Sequence, residues 1–179
     1  MNRWLAILPL LALLGFAVIG VMNLTQSEAD RPGFSDGVNS HDGRTAPNRD
    51  FETLIGAQLS YNFSTPPGER PIAVNLFASW CAPCAIEHPL LLELEKAHPD
   101  QVYGLLYEDM PEKGRAFLER LGNPYKAVGL DPDGQGGLDF GLTGVPETFV
   151  ISPEGKIILH IRGPLDPETL GRVSALLSQ

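Results

Sequence analysis

The chain has 179 residues, 43% of them hydrophobic and 20% charged, which suits one ordinary globular domain with its own core and leaves room for a segment outside it. The formal net charge of -9 comes with no compensating basic block anywhere, and this excludes a phosphate-backbone partner such as nucleic acid.

The first feature in chain order is "WLAILPLLALLGFAVIGVMNL", residues 4–24, which carries no charge and reaches the roughly 20 apolar residues a helix needs to cross a hydrocarbon core. It predicts an uncleaved transmembrane anchor, with residues 1–3 as a cytoplasmic end held inside by Arg3 and the α-amino group. A cleavable signal peptide competes, because Ser27-Glu28-Ala29 loosely fits a small-x-small site; against it, signal cores are usually only ~7–15 apolar residues. Everything after Leu24 is then expected outside the cytoplasm. Residues 25–48, "TQSEADRPGFSDGVNSHDGRTAPN", are poor in large apolar side chains and read as a flexible tether, with a folded domain over 49–179.

Within that domain "PIAVNLFAS" (71–79) is a continuous apolar run, the pattern of a strand buried on both faces. A helix follows from Ala82 to about Ala97, with Leu90, Leu91 and Leu94 on one side and Pro89 expected to kink it. "QVYGLLY" (101–107) reads as a second strand, and "EKGRAFLERLG" as a helix opened by Pro111 and closed by Gly122. "TFVIS" and "KIILHIR" flank Pro153-Glu154-Gly155 as a hairpin, and a last helix starts near the cap candidate Asp166 and carries Leu170, Val173, Leu176 and Leu177 inward. Such alternation predicts an α/β fold: a mixed sheet with helices on both faces, its first two strands parallel and its hairpin antiparallel.

Both cysteines of the chain, Cys81 and Cys84, stand between the first strand and the first helix. A structural disulfide over so short a loop stabilises little. Zinc needs four ligands, and only His88 is near; covalent haem attachment needs a histidine directly after the second cysteine, where Ala85 stands. A redox dithiol fits the placement best. At a helix start, unpaired N–H groups and the helix dipole stabilise a thiolate, the species that attacks disulfides, which makes Cys81 the nucleophile and Cys84 the resolving thiol.

These residues resemble the thioredoxins: W-C-x-x-C between a buried strand and a helix, Pro89 five positions after the second cysteine, and Pro146 just before a later strand. With "WCAPCAIEHP", "GNPYKAVGLDPDGQGGLDFGLTGVPETFVISPEGKI" and the single N-terminal span, the chain resembles more narrowly the membrane-anchored thioredoxin-like proteins of the DsbE/CcmG family of cytochrome c maturation. The resemblance covers the anchor and about Phe51 to the C-terminus.

It implies a thioredoxin fold and a thiol:disulfide interchange enzyme of the inner membrane, single-pass, with its C-terminal domain facing the periplasm and no cofactor. The expected activity is a dithiol reductant of apocytochrome c or its haem-ligation chaperone, itself re-reduced by a membrane thiol reductant. It further implies a cis bond between Val145 and Pro146, which would offer the Val145 backbone to a substrate strand, with Trp80 as a partly exposed wall of the site. Glu87 and Glu147 become candidates for proton exchange and substrate binding, against the alternative that both are solvated surface acids. Where thioredoxins carry a buried acid, six positions before Cys81, this chain has Asn75, so Glu87 is the candidate substitute. Alternatives to the reductant are a general extracytoplasmic oxidoreductase or isomerase and, outside enzymes, a copper-binding chaperone using both thiols with His88. His88 itself reads as a surface or cap residue, and His41, His98 and His160 carry no signal. Asp131, Asp133 and Gly134 resemble the start of a calcium loop but lack its twelfth-position glutamate, so a turn is expected there.

Overall fold

The structure is a computed structural model that describes residues 43–58 and 60–179. The element order is β1 (Asp50–Ile55), β2 (Ser60–Asn62), β3 (Ile72–Phe77), α1 (Ala82–Ala97), β4 (Val102–Tyr107), α2 (Pro111–Leu121), β5 (Ala127–Asp131), α3 (Gln135–Phe140), β6 (Glu147–Ile151), β7 (Ile157–Arg162) and α4 (Pro167–Leu177).

All seven strands join one sheet in the order β2-β1-β5-β4-β3-β6-β7. The central strands β3, β4 and β5 are parallel, with Ala73 opposite Val102 and Tyr103 opposite Ala127. The β6–β7 hairpin is antiparallel, as is its junction with β3, where Leu76 faces Glu147. Two successive crossovers that step the same way across the sheet place α1 and α2 on one face. There Leu91, Leu94, Phe117 and Leu118 pack with Val173 and Leu177 of α4 over Ala73, Phe77 and Leu106. The opposite face, bearing Ile72, Val74 and Leu76 of β3, is covered by Phe51, Phe63 and Phe140. Every residue of β3 is therefore buried.

The helix ends follow local chemistry. Pro111 takes the first turn of α2, where a missing N–H costs nothing, and Gly122 ends that helix at φ 94°. Asp166 caps α4 in a reciprocal box with Thr169, each side chain bonding the other's backbone N–H. Pro89 lies inside a continuous α1.

Three strands and a helix add to the sequence reading. β1, β2 and β5 join the sheet, and the stretch expected as a turn after Asp131 contains α3. The Asp131 carboxylate accepts the Gly136 and Gly137 amides at 2.8 Å each, starting a helix whose two glycines have little propensity for it. A side chain at Gly136 would meet the Phe51 ring, so the close approach of β1 requires glycine there.

The expected tether ran to Asn48, but pairing with the domain begins earlier: Thr45 bridges Lys156, and the Ala46 amide donates to Gly155 O at 2.8 Å. The anchor expected at residues 4–24 and His41 lie outside the described residues. Among the described residues no helix is long and apolar enough to cross a membrane.

Candidate active site

β3 delivers the chain to the cysteines. After Phe77 the backbone leaves the sheet, and Cys81 becomes the N-cap of α1 in extended conformation, its Sγ accepting the Cys84 amide at 3.1 Å. This is the unpaired-donor position expected to hold a thiolate. The two sulfurs are joined in the structure, S–S 2.03 Å with Cα atoms 5.3 Å apart. Cys81 keeps 5% of its surface exposed and Cys84 1%, so Cys81 is the sulfur that a partner reaches first.

The segment before the pair is pinned from the end of β4. Asp109 Oδ2 accepts the Ser79 amide at 2.6 Å, and Trp80 Nε1–H donates to Glu108 O at 3.2 Å. Trp80 remains 59% exposed. Ile86 and Met110 are exposed too.

Behind the cysteines lies a buried polar chain. Glu87, one turn beyond Cys84, is not a surface acid: it is buried, with Oε1 accepting Asn75 Nδ2 at 2.9 Å and Oε2 accepting the Leu165 amide at 2.7 Å. Asn75 also donates to Thr148 Oγ1 at 3.1 Å and accepts from Tyr125 Oη at 2.8 Å. Burial pushes the Glu87 carboxyl up to about 7, against the pull of the hydrogen bonds from Leu165 and Asn75. A carboxyl tuned to that value can give or take a proton near neutrality. Asn75, at the strand position six residues before Cys81, is thus bonded directly to the Glu87 carboxyl.

On the other side the Val145–Pro146 bond is cis, as expected. Pro146 is buried and Val145 half-buried against the apolar cluster that contains both cysteines. Glu147, a candidate for substrate binding, is not the solvated surface acid of the alternative reading. It is buried, and its carboxylate takes the Thr143 amide at 3.0 Å, the Thr143 hydroxyl, and His160 Nε2 at 2.6 Å. Burial works against its charge, but the bonds from His160 and Thr143 outweigh it and hold the carboxyl below its ordinary value.

His88 also departs from expectation. It is buried, its Nε2 2.8 Å from Gly122 O and its ring edge-on to Phe117, so it ties α1 to the end of α2. Among the described residues no group of three or more His, Cys, Asp or Glu is arranged to hold a metal ion. His160, which carried no sequence signal, is fully buried. Its role rests on a partner thirteen positions away on the neighbouring strand, which no local pattern reveals.

A strand-to-helix dithiol facing a cis-proline loop on this mixed sheet defines a thioredoxin-like thiol–disulfide oxidoreductase. Comparison with known proteins narrows the class. Residues 41–177 match the Redoxin family. The chain is 35% identical to the thiol:disulfide interchange protein HelX of Rhodobacter capsulatus over 95% of this chain and 93% of that one. It is 33% identical to the thiol:disulfide interchange protein DsbE of Escherichia coli K12, over 93% and 89% of the two chains. Among solved structures it is similar to a thiol:disulfide interchange protein DsbE from Chlorobium tepidum, with TM-score 0.62 and 27% identity over 78% of this chain and 97% of that one. The chain belongs to the Redoxin family and, within it, to the DsbE/CcmG family of thiol:disulfide interchange proteins.

A dithiol so placed can exchange with a disulfide. A thiolate at Cys81 would attack one sulfur of a disulfide, forming a mixed disulfide and releasing one thiolate. Cys84, losing its proton, would then attack Cys81 Sγ, release the second thiolate and close the protein disulfide, passing two electrons to the partner. The same steps reversed would oxidise a partner dithiol.

Proposed function

We propose that this protein is an inner-membrane-tethered dithiol reductant whose folded domain faces the periplasm and reduces disulfides in cytochrome c assembly. Its substrate in this reading is an oxidised C-x-x-C-H pair of apocytochrome c or of the chaperone that presents it for haem ligation. A membrane thiol reductant restores the dithiol. The single observation that carries the reading is Cys81 at the α1 N-cap with its sulfur bonded by the Cys84 amide. The near full-length likeness to HelX and DsbE supports it. Trp80 and the Val145–Pro146 edge hold the substrate chain, and Glu87, on the helix that bears Cys84, takes the proton when Cys84 resolves the mixed disulfide.

The test is the redox state of the pair in living cells, trapped by acid and alkylation. A reductant working in an oxidising compartment must be kept reduced by a dedicated donor. The pair should be reduced at steady state, become oxidised when the membrane reductant is deleted, and holocytochrome c should fall in both that strain and a Cys81→Ser strain. A pair oxidised in both backgrounds with normal holocytochrome c would point instead to a general oxidase or isomerase.

A further inference from the structure

The loop before Pro146 is held by a device that the dithiol chemistry does not require. Glu147 Oε1 receives both the amide and the hydroxyl of Thr143, closing residues 143–147 on themselves. Glu147 Oε2 is taken by His160 Nε2 at 2.6 Å. A carboxylate only accepts, so the Nε2 atom must carry the proton and His160 is the donor. The His160 ring is fixed in turn by stacking on Phe149, with centroids 4.0 Å apart and planes at 20°. Its Nδ1 is buried and has no hydrogen-bond partner. The buried end of the device is thus a histidine whose one satisfied nitrogen serves Glu147. The outer end, Thr143 with Gly144, is exposed, and Val145 between them and Pro146 packs against the cysteine cluster.

The register shows what this positions. Glu147 faces Leu76 of β3, so the residues before Glu147 run beside those after Leu76, the segment that leads into Cys81. We propose that His160 and Glu147 are positioning residues which clamp Thr143 and so hold the 143–146 edge in place for a polypeptide disulfide. Neither touches the reacting sulfurs. Without the clamp a substrate chain must order the loop as it binds, so affinity for a chain falls while the thiol chemistry is unchanged. A small disulfide, which needs no edge, does not register the loss. This rests on the proposed function only in that the substrate is a protein chain.

The test uses the full-length chain in detergent. His160→Phe keeps the stack and removes the donor; His160→Gln keeps a donor; Thr143→Val removes the outer hydroxyl at an exposed position where folding is not at risk. Two substrates are compared, a peptide carrying an oxidised C-x-x-C-H and hydroxyethyl disulfide. His160→Phe and Thr143→Val should raise KM for the peptide about fivefold or more, with kcat and the hydroxyethyl disulfide rate within about twofold of the parent, and His160→Gln should stand between. Deuterium uptake by the peptide spanning 141–147 should quicken about tenfold in His160→Phe, which reads the clamp without any substrate. Unchanged KM and uptake, or equal losses on both substrates, would overturn the proposal. Quickened uptake with unchanged KM would also overturn it, since the edge would then be irrelevant to docking. If the parent itself shows no saturation with the peptide, the protein-substrate reading and this inference fall together; a normal parent with indifferent variants removes only the inference.

Discussion

Asn75 donates its side-chain amide to Glu87 Oε1 at 2.9 Å, linking the middle of β3 to the face of α1 that also carries Cys84. The buried carboxyl therefore reaches the strand position from the helix rather than growing from the strand.

A pH dependence of stability follows. Folding raises the Glu87 carboxyl from 4.5 to about 7, so the folded chain binds that proton more tightly than the unfolded chain. Stability from this group is full below about pH 4.5 and is lost as pH rises through about 7, a change of about 3 kcal/mol. Buried His88, whose ring is shifted down, titrates in the opposite sense and is common to parent and variant. The stability of the oxidised parent minus that of Glu87→Gln, from urea unfolding, should fall by about this amount between pH 4.5 and 8. A flat difference would show that Glu87 is not held protonated by its burial.

The two thiols should divide the work. Cys84→Ser leaves the more accessible Cys81 free to attack and unable to be resolved, so mixed disulfides with partner proteins should accumulate on non-reducing gels. Cys81→Ser should trap none. The reverse pattern would reassign the nucleophile.

Asp109 should matter to every substrate, unlike Thr143. Its carboxylate holds the Ser79 amide two residues before Cys81, so Asp109→Ala frees the segment that presents the sulfur. Losing a charge-assisted hydrogen bond costs about 1.5–3 kcal/mol where the donor is left unpaired. Exchange with peptide and hydroxyethyl disulfide should slow together, and Asp109→Asn, which keeps an acceptor, should recover most of the rate. Selective loss with the peptide alone would place Asp109 in substrate docking instead.

The orientation proposed for the chain is tested by a reporter active only outside the cytoplasm, fused after Gln179. Activity supports the proposed topology. An inactive fusion with the protein intact in the membrane fraction reverses it, and recovery as a shortened soluble form favours cleavage after Ala29.

The dithiol and its surroundings were legible because their signals are local. A continuous apolar strand, a C-x-x-C pair and a helix start lie within Ile72–Cys84, and the α2 and α4 boundaries follow from Pro111, Gly122 and Asp166. The β1, β2 and β5 strands were harder to see because they lack the continuous apolar run that marks β3: β1 mixes buried and exposed residues, β2 has only three residues, and β5 is broken by Gly129 and ends on Asp131. α3 was hidden because an aspartate before it, not the propensity of its own residues, starts it.

By itself, then, the sequence determined the thiol pair, the parallel pairing of the two strands that follow one another around it and the family, since each is carried by short motifs legible in the chain. The states of Glu87, Glu147, His88 and His160 were decided only by tertiary structure. A glutamate is most often exposed and a histidine intermediate, and the local pattern around Glu147, His88 and His160 carries no sign of burial. What permits their burial is a partner brought from afar: the Leu165 amide, 78 positions from Glu87, and Gly122 O, 34 positions from His88. Burying a carboxylate is costly unless hydrogen-bond donors meet it, and folding alone places those donors there.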